Sequence, residues 1–284
     1  MPEEWKSKLP DRIRMQVEKT AVRLKSFSKR DFIERELDEP SRYLLVTPGK
    51  LLRPTLVFLG AEYIGSRNLG KYVGLASSIE LLHVSSLIHD DIIDKDIKRR
   101  GKKAVHAKFG AEKAILAGDA LISKAIQEAT PYGSKVVDAI AKAAMKMCAG
   151  EVLDYKYQSY GDQPSISNYL KVARLKSTEL IGTAAAIPAL HASNRSAGEL
   201  YRFGIEIGVA FQIRDDIQDF GSTKGGRRLN VVRCIMKEKN CSKEKSIDYA
   251  ASLNRNYVKS AIGKLKNNDK ASLLRDYAGM IGVW

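Results

Sequence analysis

The sequence is short of cysteine, with 3 in 284 residues, and that shortage excludes most covalent and metal staples. Cys148, Cys234 and Cys241 make neither a CxxC metal pair nor an even-numbered disulfide framework, so they read as reduced thiols in a cytoplasmic protein. Long apolar runs are missing too. Nothing reaches the roughly 18–20 residues of a membrane-spanning helix, and the opening MPEEWKSKLPDRIRM has no apolar signal core. Low-complexity tracts are absent, which leaves no candidate linker and makes residues 1–284 a single domain. Acidic residues are the scarcer charge, 33 against 48 Lys and Arg, for a net +15. The imbalance concentrates at residues 224–276, where 14 basic residues meet 5 acidic ones. An excess of that size raises nucleic acid as a partner, but few aromatics interleave with the charges and no binding motif is present, so nucleic acid is set aside. The plain reading of that tail is a solvated helical face. Its functional readings are the steering of anionic substrates and peripheral contact with an anionic membrane.

What the sequence does have is helical periodicity and, at 44% hydrophobic, enough apolar surface for a sizeable core. KVVDAIAKAAMKMCAGEVLDY and GELYRFGIEIGVAFQIRDDIQDF place apolar residues at three- and four-residue intervals. No segment alternates as a strand would, and no hairpin turn stands out, so the fold class is all-α. Breaks fall near residues 47–50, 99–103, 130–134, 160–165 and 221–226.

Against the basic background the acids cluster. In HDDIIDKDIKRRG, residues 89–101, Asp90, Asp91, Asp94 and Asp96 crowd together just before Lys98, Arg99 and Arg100. On a helix Asp90 and Asp94 stand one turn apart with Asp91 beside them, an arrangement that repels itself unless a cation sits among the carboxylates. Hard oxygens of this kind suit Mg²⁺, which takes one or two protein carboxylates and completes its shell with waters and phosphate oxygens. A calcium-binding EF-hand would need Gly and Glu at positions 6 and 12 of its loop, and neither register supplies them. FQIRDDIQDF repeats the pattern with Asp215, Asp216 and Asp219, again at the end of an apolar helix. If the two helices pack side by side, their carboxylate rims form a polynuclear magnesium site above an apolar pocket.

These residues carry a family resemblance. GKLLRP (49–54), ELLHVSSLIHDDIIDKDIKRRG (80–101), AGD (117–119), GEVLDY (150–155), Lys176-Ser177 and FQIRDDIQD (211–219) resemble, in order, the motifs of the trans-isoprenyl diphosphate synthases, the polyprenyl synthetase family. The resemblance implies the isoprenoid synthase fold, a bundle of ten or more helices around a central apolar cavity, and a homodimer. It implies a prenyltransferase that condenses isopentenyl diphosphate with an allylic diphosphate. Three Mg²⁺ ions held by the two triads would ionise the allylic substrate. Lys50, Arg53, His83 and Arg100 would hold isopentenyl diphosphate, and Arg99 and Lys176 would face the allylic diphosphate. Ser177 takes a place where the family has Thr near the cation, and Gln212, a turn before Asp215 and Asp216, orients the metal shell or the cation. His89 reads as a local hydrogen-bonding residue. Ser85, five residues before the first aspartate, occupies the place whose bulk limits product length in the family. With Ser86 beside it and both small, products of geranylgeranyl length or longer are implied.

The chain also departs from the family pattern. Lys103 and Ala104 stand where Pro and Thr follow RRG, and the lysine-bearing loop after the second triad shrinks to FGSTKGGRRLNVV, leaving Lys224, Arg227 or Arg228 to supply its charge. Three other readings stay open on these residues: a non-catalytic subunit of a heteromeric synthase, a class I terpene cyclase, and a phosphohydrolase using His89-Asp90.

Overall fold

The computed structural model describes residues 7–27, 31–47, 49–160, 163–220, 229–266 and 269–282. Among these, thirteen α-helices carry the architecture: α1 Asp11–Ser26, α2 Arg35–Arg42, α3 Leu52–Tyr63, α4 Val73–Ile93, α5 Val105–Phe109, α6 Ala111–Ala129, α7 Ser134–Tyr160, α8 Ile166–Ala173, α9 Glu179–His191, α10 Ala197–Asp219, α11 Val231–Lys239, α12 Lys243–Gly263 and α13 Ser272–Gly282. A π-helical turn, Arg174–Thr178, joins α8 to α9. The all-α expectation holds, and the breaks anticipated at 47–50, 99–103, 130–134 and 160–165 fall between helices. The break at 221–226 lies outside the described residues.

A small antiparallel hairpin interrupts the helices, with β1 (Lys98–Arg99) paired to β2 (Lys102–Lys103). Two residues per strand are too few for alternation to register in a sequence. The turn itself is legible only in hindsight: Arg100 and Gly101 both adopt positive φ, +52° and +78°, as a tight primed turn demands.

The described residues group into two compact units. One comprises the residues up to Ile140 with Ile187–Ser193, and the other Ala141–Ala186 with the residues from Asn194 onward. In the first, α4 packs against α1, α3 and α6. Its stretch from Leu75 to Leu82 is buried on every side, which is why the sequence there is apolar or small all round, with Glu80 the only charge. In the second, α10 is the matching element, packed against α12, α13 and the π-turn, and buried from Phe203 to Ala210 except at Glu206. Side-chain caps start three of the helices: Ser165, Asn230 and Ser242 accept hydrogen bonds from the backbone of Asn168, Val232 and Lys245 at the starts of α8, α11 and α12. Buried Asn254 on α12 donates to the carbonyls of Ala210 and Gly282, both at 2.7 Å, so one amide holds α10 and the end of α13.

Helices α9 and α10 touch through glycine. A Cβ on Gly204 would lie 2.6 Å from the Cα of Gly182 and 2.8 Å from the carbonyl oxygen of Ile181, both backbone atoms that no rotamer change can move. Gly204→Ala therefore trades a gain in helix propensity for overpacking, with an expected net loss of about 1–2 kcal/mol in urea denaturation. Unchanged or greater stability would mean the two helices separate at no cost.

Candidate functional site

Each aspartate triad sits at the C-terminal end of a central helix. Asp90 and Asp91 occupy the last turn of α4 and Asp94 is its C-cap; Asp215, Asp216 and Asp219 occupy the end of α10. This is the electrostatically worst place for carboxylates, because the exposed carbonyls of a helix C-terminus already present partial negative charge. Each triad is accordingly supplied with a donor from its own unit, and in both cases the donor meets the middle aspartate.

In the first triad Asp91 is fully buried, and Arg99 of the hairpin donates from Nε (2.8 Å) and Nη2 to its Oδ1, while Oδ2 has no hydrogen-bond partner. Burial pushes the Asp91 carboxyl above its usual range, against the pull of Arg99. The same guanidinium lies 3.7 Å from Asp96. Asp90 and Asp94 are half-buried. In the second triad Asp216 is buried with both oxygens engaged. Oδ1 accepts from Gln212 Nε2 at 2.9 Å and Oδ2 from the backbone N–H of Val231 at 2.8 Å, the first residue of α11. Burial drives this carboxyl up to about 7 despite those donors. The role foreseen for Gln212, orienting the triad, is thus exercised on Asp216. Asp215 is half-buried and meets Arg214 at 3.2 Å, and Asp219 is exposed. Burial and then the charge of Asp216 push the neighbouring Cys234 thiol up to about 12, so it stays protonated.

Both rims fit magnesium by their chemistry, hard carboxylate oxygens in pairs, and the first adds a buried oxygen of Asp91 that the protein leaves without a donor. Among the described residues no three acidic, histidine or cysteine side chains converge as a ready metal cage. A cation that takes one or two carboxylates and fills its remaining positions with water and phosphate needs none.

The first unit also gathers the residues expected to bind a diphosphate. His83 lies on α4, Arg53 in the first turn of α3 and Arg100 in the hairpin turn, and burial followed by Arg53, Arg100 and Arg99 drives His83 well below its ordinary value. His83 is therefore neutral and offers a single N–H. Arg100 Nη1 donates to the carbonyl of Thr47 at 2.9 Å, and its guanidinium lies over Gly49, where a Cβ would come within 2.7 Å. That contact explains the Gly of GKLLRP: the loop backbone makes room for the arginine. Lys50 is exposed beside this cluster in sequence. The sequence reading passed over Glu80, which is 3% exposed and lies within electrostatic reach of Arg53 and Arg100. Its signal was a lone acid in the otherwise uncharged stretch from Leu75 to Leu82, three residues before His83. Ser85 is buried, Ser86 returns its hydroxyl to the carbonyl of His83 at 2.9 Å, and His89 bonds the carbonyl of Ile115 at 3.2 Å with its ring over Gly118. A local structural role for His89 fits that geometry.

In the second unit, Lys176 projects from the π-turn and is held by Asp154 at 2.5 Å and Glu151 at 2.7 Å. The turn rests on α7 at Gly150, where a Cβ would lie 2.2 Å from the backbone nitrogen of Lys176. GEVLDY thus supplies a seat and two counter-charges for one lysine. Ser177, next in the π-turn, is half-buried. Lys224, Arg227 and Arg228 lie outside the described residues.

Glu80 has a measurable consequence. Burial raises its carboxyl to about 7, against the lowering effect of Arg53 and Arg100. A folded-state pKa above the unfolded one means its contribution to stability is complete below about pH 4.5 and is lost as pH rises through about 7. Glu80→Gln, neutral at every pH, should remove this slope. The variant is expected to gain on the wild type between pH 5 and pH 8 in urea denaturation, by up to about 3 kcal/mol. Parallel pH profiles would overturn the assignment.

Comparison with known proteins follows the same lines. The geranylgeranyl diphosphate synthase of Methanosarcina mazei is 40% identical over 192 residues, 65% of this chain and 59% of that protein. A short chain isoprenyl diphosphate synthase of Methanothermobacter thermautotrophicus is 33% identical over 252 residues, 82% of this chain and 77% of that protein. The first of these matches thus spans less than two thirds of the relative's length. Among solved structures, a geranylgeranyl pyrophosphate synthetase from the archaeon Geoglobus acetivorans superposes with a TM-score of 0.84 at 28% identity, covering 95% of this chain and 98% of that one. The polyprenyl synthetase family model matches residues 34–239, a stretch containing both aspartate triads, the hairpin and the π-turn, and the chain belongs to that family.

Proposed function

We propose that the chain is a trans-prenyltransferase that joins isopentenyl diphosphate to an allylic diphosphate and releases an isoprenyl diphosphate one C5 unit longer. The observation that carries this reading is the pair of aspartate triads at helix C-termini, each with its middle carboxylate anchored by a protein donor, in a member of the polyprenyl synthetase family. Such an arrangement spends free energy to concentrate negative charge and is suited to polyvalent cations carrying a diphosphate. Family membership favours this activity over a terpene cyclase or a phosphohydrolase.

Three Mg²⁺ ions, when bound, supply the charge that stabilises the departing diphosphate. Asp90, Asp91 and Asp94 would hold them in one triad and Asp215, Asp216 and Asp219 in the other, with Asp91 and Asp216 already anchored by protein donors. Lys50, Arg53 and Arg100 bind the diphosphate of isopentenyl diphosphate through planar and point-charge donors, and neutral His83 contributes one N–H. Glu80 lies within electrostatic reach of the two guanidiniums. Arg99 and Lys176 address the allylic diphosphate, each from a carboxylate-held resting position, with Lys224, Arg227 and Arg228 as the closing charges. The allylic C–O bond breaks with its electron pair leaving on diphosphate, the alkene of isopentenyl diphosphate attacks the cation, and the departing diphosphate takes the proton lost. Ser177 and Gln212 lie beside the cation.

Residues 1–284 act as one functional domain, a reading supported by the family match running through parts of both units. The active species is a homodimer in the cytoplasm. Support for the pairing comes from α7, where Ala141, Met145, Cys148, Val152 and Tyr155 are exposed at alternating four- and three-residue spacing, the pattern of a helix seam that a second copy would cover. The three cysteines are free, which suits a reducing compartment. The product is geranylgeranyl diphosphate or longer, because Ser85, about 7.5 Å along the helix axis from Asp90, is too small to floor a growing chain.

Purified chain given isopentenyl diphosphate, an allylic diphosphate and Mg²⁺ tests the activity. Asp90→Asn and Asp215→Asn are each expected to lower turnover at least about a hundredfold with folding little changed. Near-normal turnover in both, with metal dependence intact, would sink the mechanism. Activity that appears only when a second, different subunit is added would make the chain half of a heteromeric synthase. For chain length, Ser85→Phe should move the product distribution toward C15 while consumption of the first allylic substrate persists. A wild type that already stops at C15, or an unchanged distribution in the variant, would refute the depth argument.

A further inference from the structure

The tip of the hairpin carries features that neither the metal nor the diphosphate reading uses. Ile97 is 67% exposed, and Ile93 at the end of α4 and Val46 in the loop before α3 are exposed as well. Singly, such residues are ordinary. These three are interleaved with four exposed lysines, Lys95, Lys98, Lys102 and Lys103. Strand pairing sets Lys98 opposite Lys103, and the N–H of Ala104 donates to the carbonyl of Ile97 at 3.0 Å, which ties Ile97 to the basic strand. Lys102 Nζ donates to Thr47 Oγ1 at 2.8 Å and Arg100 to the carbonyl of Thr47, which brings Val46 to the same patch. Residues 93–103 hold six cations against two aspartates. Of the acids close by, Asp91 is buried on Arg99, Asp96 lies 3.7 Å from the same guanidinium, and Asp90 and Asp94 are half-buried at the end of α4.

A free phosphate or diphosphate would satisfy the lysines and leave the aliphatic side chains in water. An acidic protein surface would do the same unless it carried matching apolar contacts. A lipid surface takes both groups at once: ammonium heads meet lipid phosphates, lysine stems and isoleucines enter the acyl boundary, and the attraction adds up lysine by lysine. We propose that the hairpin Lys98–Lys103, with Ile93, Ile97 and Val46, is a docking surface for an anionic lipid bilayer. This places the membrane contact on the first unit, whereas charge counting along the sequence pointed to the basic tail. Lys103 is part of the case, since the family pattern leads one to expect proline at that position.

Docking is read without any catalytic assay, so its failure and that of the proposed activity are distinguishable. The full chain would be sedimented with vesicles of phosphatidylcholine alone and of phosphatidylcholine mixed with phosphatidylserine. Binding is expected only to the mixed vesicles and should weaken as salt is raised. Lys102→Ser with Lys103→Ser should lower the partition coefficient about fivefold per lysine, and Ile97→Asp should lower it further at unchanged helical circular dichroism. Lys243→Ser with Lys245→Ser, on α12 of the second unit, should leave it unchanged. Four results would overturn the proposal: no binding to mixed vesicles, equal binding to both kinds, loss of binding in the α12 variant with retention in the hairpin variants, or release by millimolar inorganic diphosphate but not by sodium chloride of equal ionic strength. The last would assign the lysines to a soluble anion.

Discussion

The structure is organised around an unfavourable placement: carboxylates gathered at the C-terminal ends of its two central helices. Helix carbonyls and neighbouring acids both oppose charge there, and removal from water adds to the cost for Asp91 and Asp216. The fold tolerates the arrangement because each buried aspartate is met by a donor brought from elsewhere in the chain, a guanidinium in one case and a helix N-terminus in the other. The helix start is as apt as the arginine, since its unpaired N–H groups carry partial positive charge. The other members of the triads, Asp90 and Asp94, and Asp215 and Asp219, stand half-buried or exposed at the rims.

The hairpin shows how few residues can serve several of these demands. Arg99 neutralises Asp91, while Arg100, held in a left-handed conformation by the tight turn, reaches back to the loop before α3 and joins Arg53 and His83. The last residue of β1 and the first of the turn thus point to different partners. Glu80 adds a buried carboxyl within electrostatic reach of Arg53 and Arg100, and its burial lifts that carboxyl to about 7 against their attraction. The second unit solves a similar problem for Lys176 by a helix defect. A π-turn displaces its backbone onto Gly150, and the flanking Glu151 and Asp154 hold the ammonium group.

How much of this was legible in the sequence depends on whether the signal is local. Helical class, the identity of α4 and α10 and the placement of both triads at helix ends follow from spacing, because a 3.6-residue repeat and a run of aspartates are properties of neighbouring residues. The alignment of Gln212 with Asp216 is of the same kind, one turn apart on one helix. The hairpin escaped because two residues per strand leave no period to read. The π-turn escaped because the residue against which Lys176 packs, Gly150, is twenty-six residues away along the chain.

By itself the sequence determined which chemistry is available: two aspartate triads, a basic cluster after the first, a lysine beside a serine, and a family pattern joining them. Only the tertiary structure decided how each group is employed. It decided that Asp91 and Asp216 are anchored while their neighbours form the rim, that His83 is neutral, that Glu80 lies within electrostatic reach of Arg53 and Arg100, and that three aliphatic side chains share a patch with four lysines. The physical reason is common to all four. Burial and long-range pairing set the charge state and exposure of a group, and both depend on atoms that the chain brings from tens of residues away.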